Sequence, residues 1–308
     1  MMKKLYIEPT SMCNLSCKMC FRNNWFDEEQ GMMSDEILQK IYIYINKREA
    51  LKSVMLAGMG EPLLHKKTVE IVRQVSSSGK KAEILTNGTL LDEKMCNDLI
   101  NARLDTLWIS CDEPHLGNSV QVLKNIEYFN SIRKNKCKLG FTFVVENACT
   151  DKIYEFAEKF HADEVNISGA IPSAPVKNMC SLNTIFGKSD TLHKNYCPFI
   201  EEEKCFVKWN GAVSPCMQLL HSSYTYLFEE KRKVTAYCFG NLLENSLEEI
   251  WNSKKYREFR ERVKNFEFPD CTLCDGCDDR LENITDCMFN EMPTCGACLW
   301  AQNIARCP

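Results

Sequence analysis

The sequence predicts an α/β protein in which a parallel sheet covered by helices leads into a cysteine-rich region. Three observations carry that expectation. Strand-sized apolar runs alternate with helix-length amphipathic segments from Leu5 to Ser168. Small or polar residues follow the runs, as they do where loops carry function at one rim of such a sheet. The 19 cysteines are uneven: three lie at 13–20, five are scattered from Cys96 to Cys180, and eleven run from Cys197 to Cys307.

Each element has its own signal. Leu5–Glu8 is a short apolar start. Ser34 is placed to cap a helix in which Ile37, Leu38, Ile41, Tyr42 and Ile45 recur at helical spacing. Ser53–Ala57 reads as a buried strand, and a helix over His65–Ser78 stops at Gly79. The alternation continues through strand Ala82–Thr86, helix Asp92–Ala102, strand Thr106–Ser110 and helix Ser119–Arg133. Strand Leu139–Val145, helix Asp151–Phe160 and strand Glu164–Ser168 complete six strands, which parallel pairing joins by right-handed crossovers. Pro172 and Pro175 mark a link, dividing the chain into 1–169 and 170–308. Asn210-Gly211 between two strand-like runs predicts a hairpin that brings Cys205 near Cys216. A helix over Leu247–Val263 is capped by Ser246.

Composition excludes several classes. The chain has 308 residues, is 44% hydrophobic and 26% charged, and carries 38 basic against 42 acidic residues for a net charge of −4. That is ordinary for a globular protein with a sizeable core, and no basic run suggests a nucleic-acid partner. The longest apolar runs are strand-sized and Met1–Glu8 lacks a signal-peptide pattern, so no membrane association and a cytoplasmic location are expected. In a reducing compartment this many cysteines point to metal ligation rather than disulfides.

The chemistry centres on Cys13-x3-Cys17-x2-Cys20, directly after the first strand. Thiolates are the usual ligands of iron-sulfur clusters, and a 4Fe-4S cube normally takes four. Here the next cysteine is Cys96, so a cube at the triplet keeps one iron open to a substrate or cofactor. The other strand ends carry Gly58-Met59-Gly60-Glu61-Pro62, Asn87-Gly88, Ser110 with Asp112, and Glu146 with Asn147. Gly58 and Gly60 allow close backbone approach, and Glu61 offers an acceptor for an amino group.

The triplet, with Met19 in its variable position, followed by a Gly-Glu-Pro loop after the second strand, resembles the radical S-adenosylmethionine enzymes over residues 3–169. The resemblance implies a partial six-stranded (βα)6 barrel. It also implies that Cys13, Cys17 and Cys20 hold a 4Fe-4S cluster whose open iron binds S-adenosylmethionine. Gly58, Gly60 and Glu61 would then lie against its amino group, and Ser110, Asp112 and Asn147 would reach the ribose hydroxyls. A 5'-deoxyadenosyl radical abstracting hydrogen from a substrate is the implied activity, fed by a low-potential donor of the ferredoxin or flavodoxin type.

Beyond the link, Cys197, Cys205 and Cys216, the Phe239-Gly240-Asn241 to Trp251 stretch and a cysteine-rich end are similar to the SPASM extension of radical enzymes that modify peptides and proteins. That likeness implies one or two auxiliary 4Fe-4S clusters, a peptide or protein substrate, and ligands among Cys197, Cys205, Cys216, Cys271, Cys274, Cys277, Cys287, Cys295, Cys298 and Cys307. The tail departs from the family pattern by reading C-x2-C-x2-C-x9-C with an additional C-x2-C pair. Asp286-Cys287 through Pro293-Thr294-Cys295-Gly296-Ala297-Cys298 to Cys307-Pro308 is similar to maturases of tungsten-cofactor aldehyde oxidoreductases. Three alternatives remain open: a radical enzyme on a small molecule or cofactor precursor, a zinc protein folded by its cysteines, and a thiol redox carrier using a C-x2-C pair. The five histidines have no metal-ligand spacing and read as surface or capping residues.

Overall fold

A computed structural model describes residues 1–18, 20–112, 120–145, 150–169, 174–175 and 195–305. Its main sheet has eight strands in the order β6-β5-β4-β3-β2-β1-β7-β8. These are β1 (Lys4–Ile7), β2 (Ser53–Leu56), β3 (Lys81–Thr86), β4 (Thr106–Asp112), β5 (Lys138–Val145), β6 (Glu164–Gly169), β7 (Lys204–Val207) and β8 (Val213–Ser214). All neighbours pair in parallel except β7 and β8. The six strands from β1 to β6, joined by helices, form the expected partial barrel.

Helices α1 (Asp35–Lys47), α2 (Thr68–Ser77), α3 (Glu93–Asn101), α4 (Val120–Arg133) and α5 (Thr150–Lys159) follow β1 to β5 in turn. Local chemistry sets where they begin. The Ser34 side chain accepts from Ile37 N–H, and that of Asp92 from Met95 N–H. α2 starts three residues later than expected, because Pro62–Leu64 forms a 3-10 turn and the buried His65 ring contacts the Met33 carbonyl at 3.0 Å. Alternation along the strands sorts the side chains. Leu5, Val54, Ile84, Leu107 and Phe141 are fully buried, as outward positions under helices should be. Tyr6, Met55, Trp108, Thr142 and Asn166 line a cavity of about 540 Å3 within the barrel.

The structure adds β7 to the sheet from beyond residue 170. Lys4 to Ile7 pair with Lys204 to Val207 in register, so β1 lies between β2 and a strand from the cysteine-rich region. The Asn210-Gly211 hairpin forms between β7 and β8, and strands β9 (Ser223–Leu227) and β10 (Glu230–Val234) make a separate antiparallel pair. After the short helix α6 (Pro198–Glu201), the long helix expected over Leu247–Val263 is two: α7 (Leu247–Asn252) and α8 (Lys254–Lys264). Ser253 ends the first in an extended conformation, and its hydroxyl caps the second by accepting from Tyr256 N–H. A serine that competes for backbone donors breaks the run although the apolar spacing continues. Among the described residues no helix is long and apolar enough to cross a membrane.

Candidate cluster and cofactor site

The cysteine triplet occupies the loop at the carboxyl end of β1. Thr10 starts it, its hydroxyl donating to the Gly31 carbonyl at 2.7 Å and accepting from Met12 N–H at 3.0 Å. Further along, Cys20 N–H donates to the Cys17 carbonyl, and the Asn23 amide donates to that carbonyl at 2.9 Å. Cys13, Cys17 and Cys20 are all partly exposed on this loop. Asn87, at the end of β3, reaches across: its amide donates to Cys13 Sγ at 3.8 Å and to Asn14 Oδ1 at 3.0 Å.

The glycine-rich loop after β2 packs directly on the triplet loop. A Cβ at Gly60 would sit 2.1 Å from the Thr10 carbonyl oxygen and 2.6 Å from that of Met12. Gly58 has φ +149, and a Cβ there would lie 2.6 Å from Glu8 Cγ. The close approach that makes these residues glycine is therefore to protein. Glu61 is buried, its N–H donating to the Met12 carbonyl at 2.8 Å. Its carboxylate accepts from Leu63 N–H, the Thr86 hydroxyl and Asn87 N–H at 2.8–2.9 Å. Burial raises the Glu61 pKa, outweighing these donors. Glu61 thus joins the triplet loop, its own loop and the end of β3.

Ser110 lies on β4 opposite Thr142 of β5 and is partly exposed. Asp112 ends β4, with its side chain outside the described residues, as are Asn147 and Cys307.

In the cysteine-rich region, Cys197, Cys216, Cys295 and Cys298 line one cavity of roughly 30 Å3 walled by Phe199, Leu219 and Trp300. Cys197 precedes α6, Cys216 follows β8, and Cys298 N–H donates to the Cys295 carbonyl in a tight turn. Burial pushes Cys197 up to about 12, and nearby Cys298 adds to the shift. Burial also raises Cys216 and Cys295, each further raised by the neighbouring cysteines. Four such thiols resist ionisation on their own and become thiolates where a cationic metal compensates them, which is the demand a cluster meets. Cys271, Cys274 and Cys287 make a second neighbourhood nearer the surface. Burial first, then Asp286, Cys287 and Cys274, push Cys271 up to about 12.

Cys277 lies on the same loop and is partly exposed. Cys205 joins neither group: it is buried on β7, with its sulfur accepting from the Tyr256 hydroxyl at 3.8 Å. No disulfide forms among the described cysteines, and among them no three side chains already stand as a single-ion site.

Several residues at the site carry no sequence motif. Glu8 and His221, each about 1% exposed in the side chain, are paired at 2.9 Å. His221 also meets Glu28 at 2.8 Å, and Glu28 takes the Lys208 ammonium at 2.5 Å. His221 is therefore a buried interior residue rather than a surface or capping one. Arg232, buried on β10, lies near both cysteine groups: burial lowers its pKa while Cys298, Cys295 and Cys271 raise it. An apolar strand ending in Glu8 was the available signal for the first of these, since an acid so placed needs a buried partner.

The chain matches the radical SAM superfamily over residues 7–157 and the SPASM iron-sulfur cluster-binding domain over residues 197–278. It belongs to the radical S-adenosylmethionine superfamily and carries a SPASM domain, so its cofactors are a 4Fe-4S cluster, S-adenosylmethionine and auxiliary iron-sulfur clusters. Across its full length it is 32% identical to the tungsten-containing aldehyde ferredoxin oxidoreductase cofactor-modifying protein of Pyrococcus furiosus, of which 97% is covered.

A probable GTP 3',8-cyclase of Pyrococcus abyssi is 38% identical over 35% of this chain and 34% of its own. Among solved structures, BtrN in complex with AdoMet and 2-DOIA gives a TM-score of 0.56 at 17% identity, over 91% of this chain and 94% of that one. Streptococcus suis SuiB bound to precursor peptide SuiA gives 0.59 at 16% identity, over 84% and 66% respectively. Those two likenesses are of fold.

Proposed function

We propose that this chain is a radical maturase of a tungsten-containing aldehyde oxidoreductase, acting by hydrogen abstraction on a peptide or protein of that system. The full-length likeness to the Pyrococcus furiosus protein carries this reading. Cys13, Cys17 and Cys20 hold the catalytic cluster, and Asn87 donates to the first of these sulfurs. When bound, the reduced cluster and S-adenosylmethionine supply a 5'-deoxyadenosyl radical. The chain positions and shields: Gly58, Gly60 and Glu61 set the loop beside the amino group, while the ribose is assigned, by the family resemblance, to Ser110, Asp112 and Asn147. Tyr6, Trp108, Phe199 and Phe206 give the barrel cavity aromatic walls beside Gly58, against which a bound substrate would displace water from the reacting carbon.

One auxiliary cluster is assigned to Cys197, Cys216, Cys295 and Cys298, and a second to Cys271, Cys274, Cys277 and Cys287, with Cys205 left to packing. Residues 1–169 form the cofactor-binding part and 170–308 the auxiliary part. A low-potential ferredoxin or flavodoxin supplies electrons, in a cytoplasmic setting that keeps the thiols reduced.

A second reading, a cofactor precursor as substrate, draws on the barrel cavity of about 540 Å3, which is small-molecule sized. One experiment addresses both. Anaerobic, reconstituted enzyme is incubated with reductant, S-adenosylmethionine and either the oxidoreductase subunit or its separated cofactor. A mass change in the polypeptide supports the first reading, and one in the cofactor alone supports the second. 5'-Deoxyadenosine formation unaffected by either, with no mass change, sinks both.

A further inference from the structure

The residues around His221 form a closed buried set. Nε2 lies 2.9 and 3.0 Å from the two carboxylate oxygens of Glu8, and Nδ1 lies 2.8 Å from Glu28 Oε2. Both carboxylates also accept from donors that can only donate: Met59 N–H to Glu8 Oε1 at 2.9 Å, and Ser222 N–H to Glu28 Oε1 at 2.7 Å. The Lys208 ammonium donates to Glu28 Oε2. With acceptors at each ring nitrogen, the set is satisfied when both nitrogens carry hydrogen. The ring is then an imidazolium, and two carboxylates are balanced by two cations. Trp25 stacks on it at 4.2 Å and 16°, and the Arg22 guanidinium lies over the Trp25 ring at 5.9 Å.

These groups come from different parts of the chain. Glu8 directly follows β1, Trp25 and Glu28 follow the cysteine triplet, Lys208 follows β7, and His221 precedes β9. Glu8 is also the floor of the glycine-rich loop, since Met59 N–H donates to it and Gly58 has no room for a Cβ above it. Displacing the Glu8 carboxylate must therefore displace the Gly58–Met59 turn.

We propose that His221 is a positioning residue for S-adenosylmethionine: as an imidazolium held between Glu8 and Glu28, it fixes the Gly58–Met59 turn, so cofactor affinity depends on a proton carried by the auxiliary region. This rests on the reading of that turn as the cofactor loop. Losing the proton leaves a lone pair facing a carboxylate and one uncompensated negative charge in a buried site, which the low dielectric makes costly. Burial works against the charged ring, but the hydrogen bonds to Glu28 and Glu8 outweigh it and raise the histidine pKa above its ordinary value of 6.5. Affinity should accordingly be full below that ordinary value and fall as pH rises through the raised one.

The test is equilibrium dialysis of S-adenosylmethionine against the reconstituted full-length protein, kept oxidised so that the cofactor is not cleaved, across neutral to alkaline pH. The parent chain should lose about tenfold in affinity across the transition, the lower end of what outer-shell partners contribute at metal sites. His221→Gln should bind about tenfold more weakly at neutral pH with no such transition. Glu28→Gln keeps the fold's shape but removes one carboxylate from the ring, so its midpoint should move down by about one to two pH units. A merely structural histidine would not give that shift. Binding by all three proteins with one common pH profile overturns the role of His221 alone. No binding by the iron-loaded parent chain at any pH overturns the cofactor reading, and this proposal with it.

Discussion

Gly60→Ala tests whether the glycine-rich loop is shaped by protein contact. The added methyl would stand 2.1 Å from the Thr10 carbonyl oxygen and 2.6 Å from that of Met12, both backbone atoms that cannot swing aside. Ordinary non-bonded contact needs about 3.5 Å, so the loops must separate by about 1.4 Å at the Thr10 carbonyl. Overpacking of this kind costs about 1–3 kcal/mol. Retreat also stretches the 2.8 Å bond from Glu61 N–H to the Met12 carbonyl, a contact of about 1 kcal/mol.

The melting temperature of the anaerobically prepared protein should fall by about 2–8 °C at roughly 2 °C per kcal/mol for a chain of this size. Iron bound at the triplet should fall with it, because the displaced backbone carries Met12 next to Cys13. Gly79→Ala is the control: it has φ +74 but nothing within 4 Å of the new atom. It should cost about 1–2 kcal/mol for backbone conformation and leave iron unchanged. Iron in Gly60→Ala equal to that in Gly79→Ala would refute the steric argument.

Other outcomes follow from the same contacts. Cys298→Ser should lower bound iron by about four atoms per chain on sulfide and iron assay, as one cube is lost. Cys205→Ser should keep its iron and lose about 1–3 kcal/mol in a denaturant melt, since a smaller, more polar group replaces a buried sulfur that accepts from the Tyr256 hydroxyl at 3.8 Å. Asn87→Ala removes the donor to Cys13 Sγ, and a redox titration should show the triplet cluster at a lower potential because its sulfur charge is less stabilised.

Arg133→Ala removes the buried guanidinium that donates to Asp163 and to the carbonyls of Cys137 and His161, at about 1–3 kcal/mol. Burial raises the Asp163 pKa, but Leu139 N–H and Arg133 outweigh it and hold it below the usual carboxylate range. The stability difference between parent and Arg133→Ala should be full near neutrality and shrink as acid protonates Asp163, as followed by denaturant midpoints.

What was legible in the sequence was local. The alternation of Val54, Leu56, Ile84, Leu107 and Phe141 with amphipathic helices is written in adjacent residues, and so are the Ser34 and Ser246 caps. β7 was not legible as a barrel strand because its partner, Lys4 to Ile7, lies far away in the chain, and Lys204–Val207 alone is only a short apolar run. The grouping of Cys295 and Cys298 with Cys197 and Cys216 is long-range in the same way. Spacing marked all four as metal-type cysteines, but only the fold says which share a cavity. Glu28, Lys208 and His221 are single polar residues with ordinary neighbours in sequence. Their meaning arises from burial together, which no periodicity encodes.

The same long-range contacts tie the loop after β2 to the cysteine-rich region. β1 delivers the triplet and Glu8, and its outer edge is paired by β7, with Glu8 N–H donating to the Val207 carbonyl at 2.9 Å. Without β7, β1 would expose unpaired backbone groups next to the site that must hold a fixed geometry. β7 then turns into β8 and Cys216, and the chain reaches His221 before β9. On the proposed assignment of Cys216, a cluster bound there would anchor the segment that places the His221 ring beside Glu8. Iron at the auxiliary site and geometry at the Gly58–Met59 loop would then be joined through Cys216, His221 and Glu8. This is a physical reason for a radical barrel to be completed by the domain that carries its other clusters.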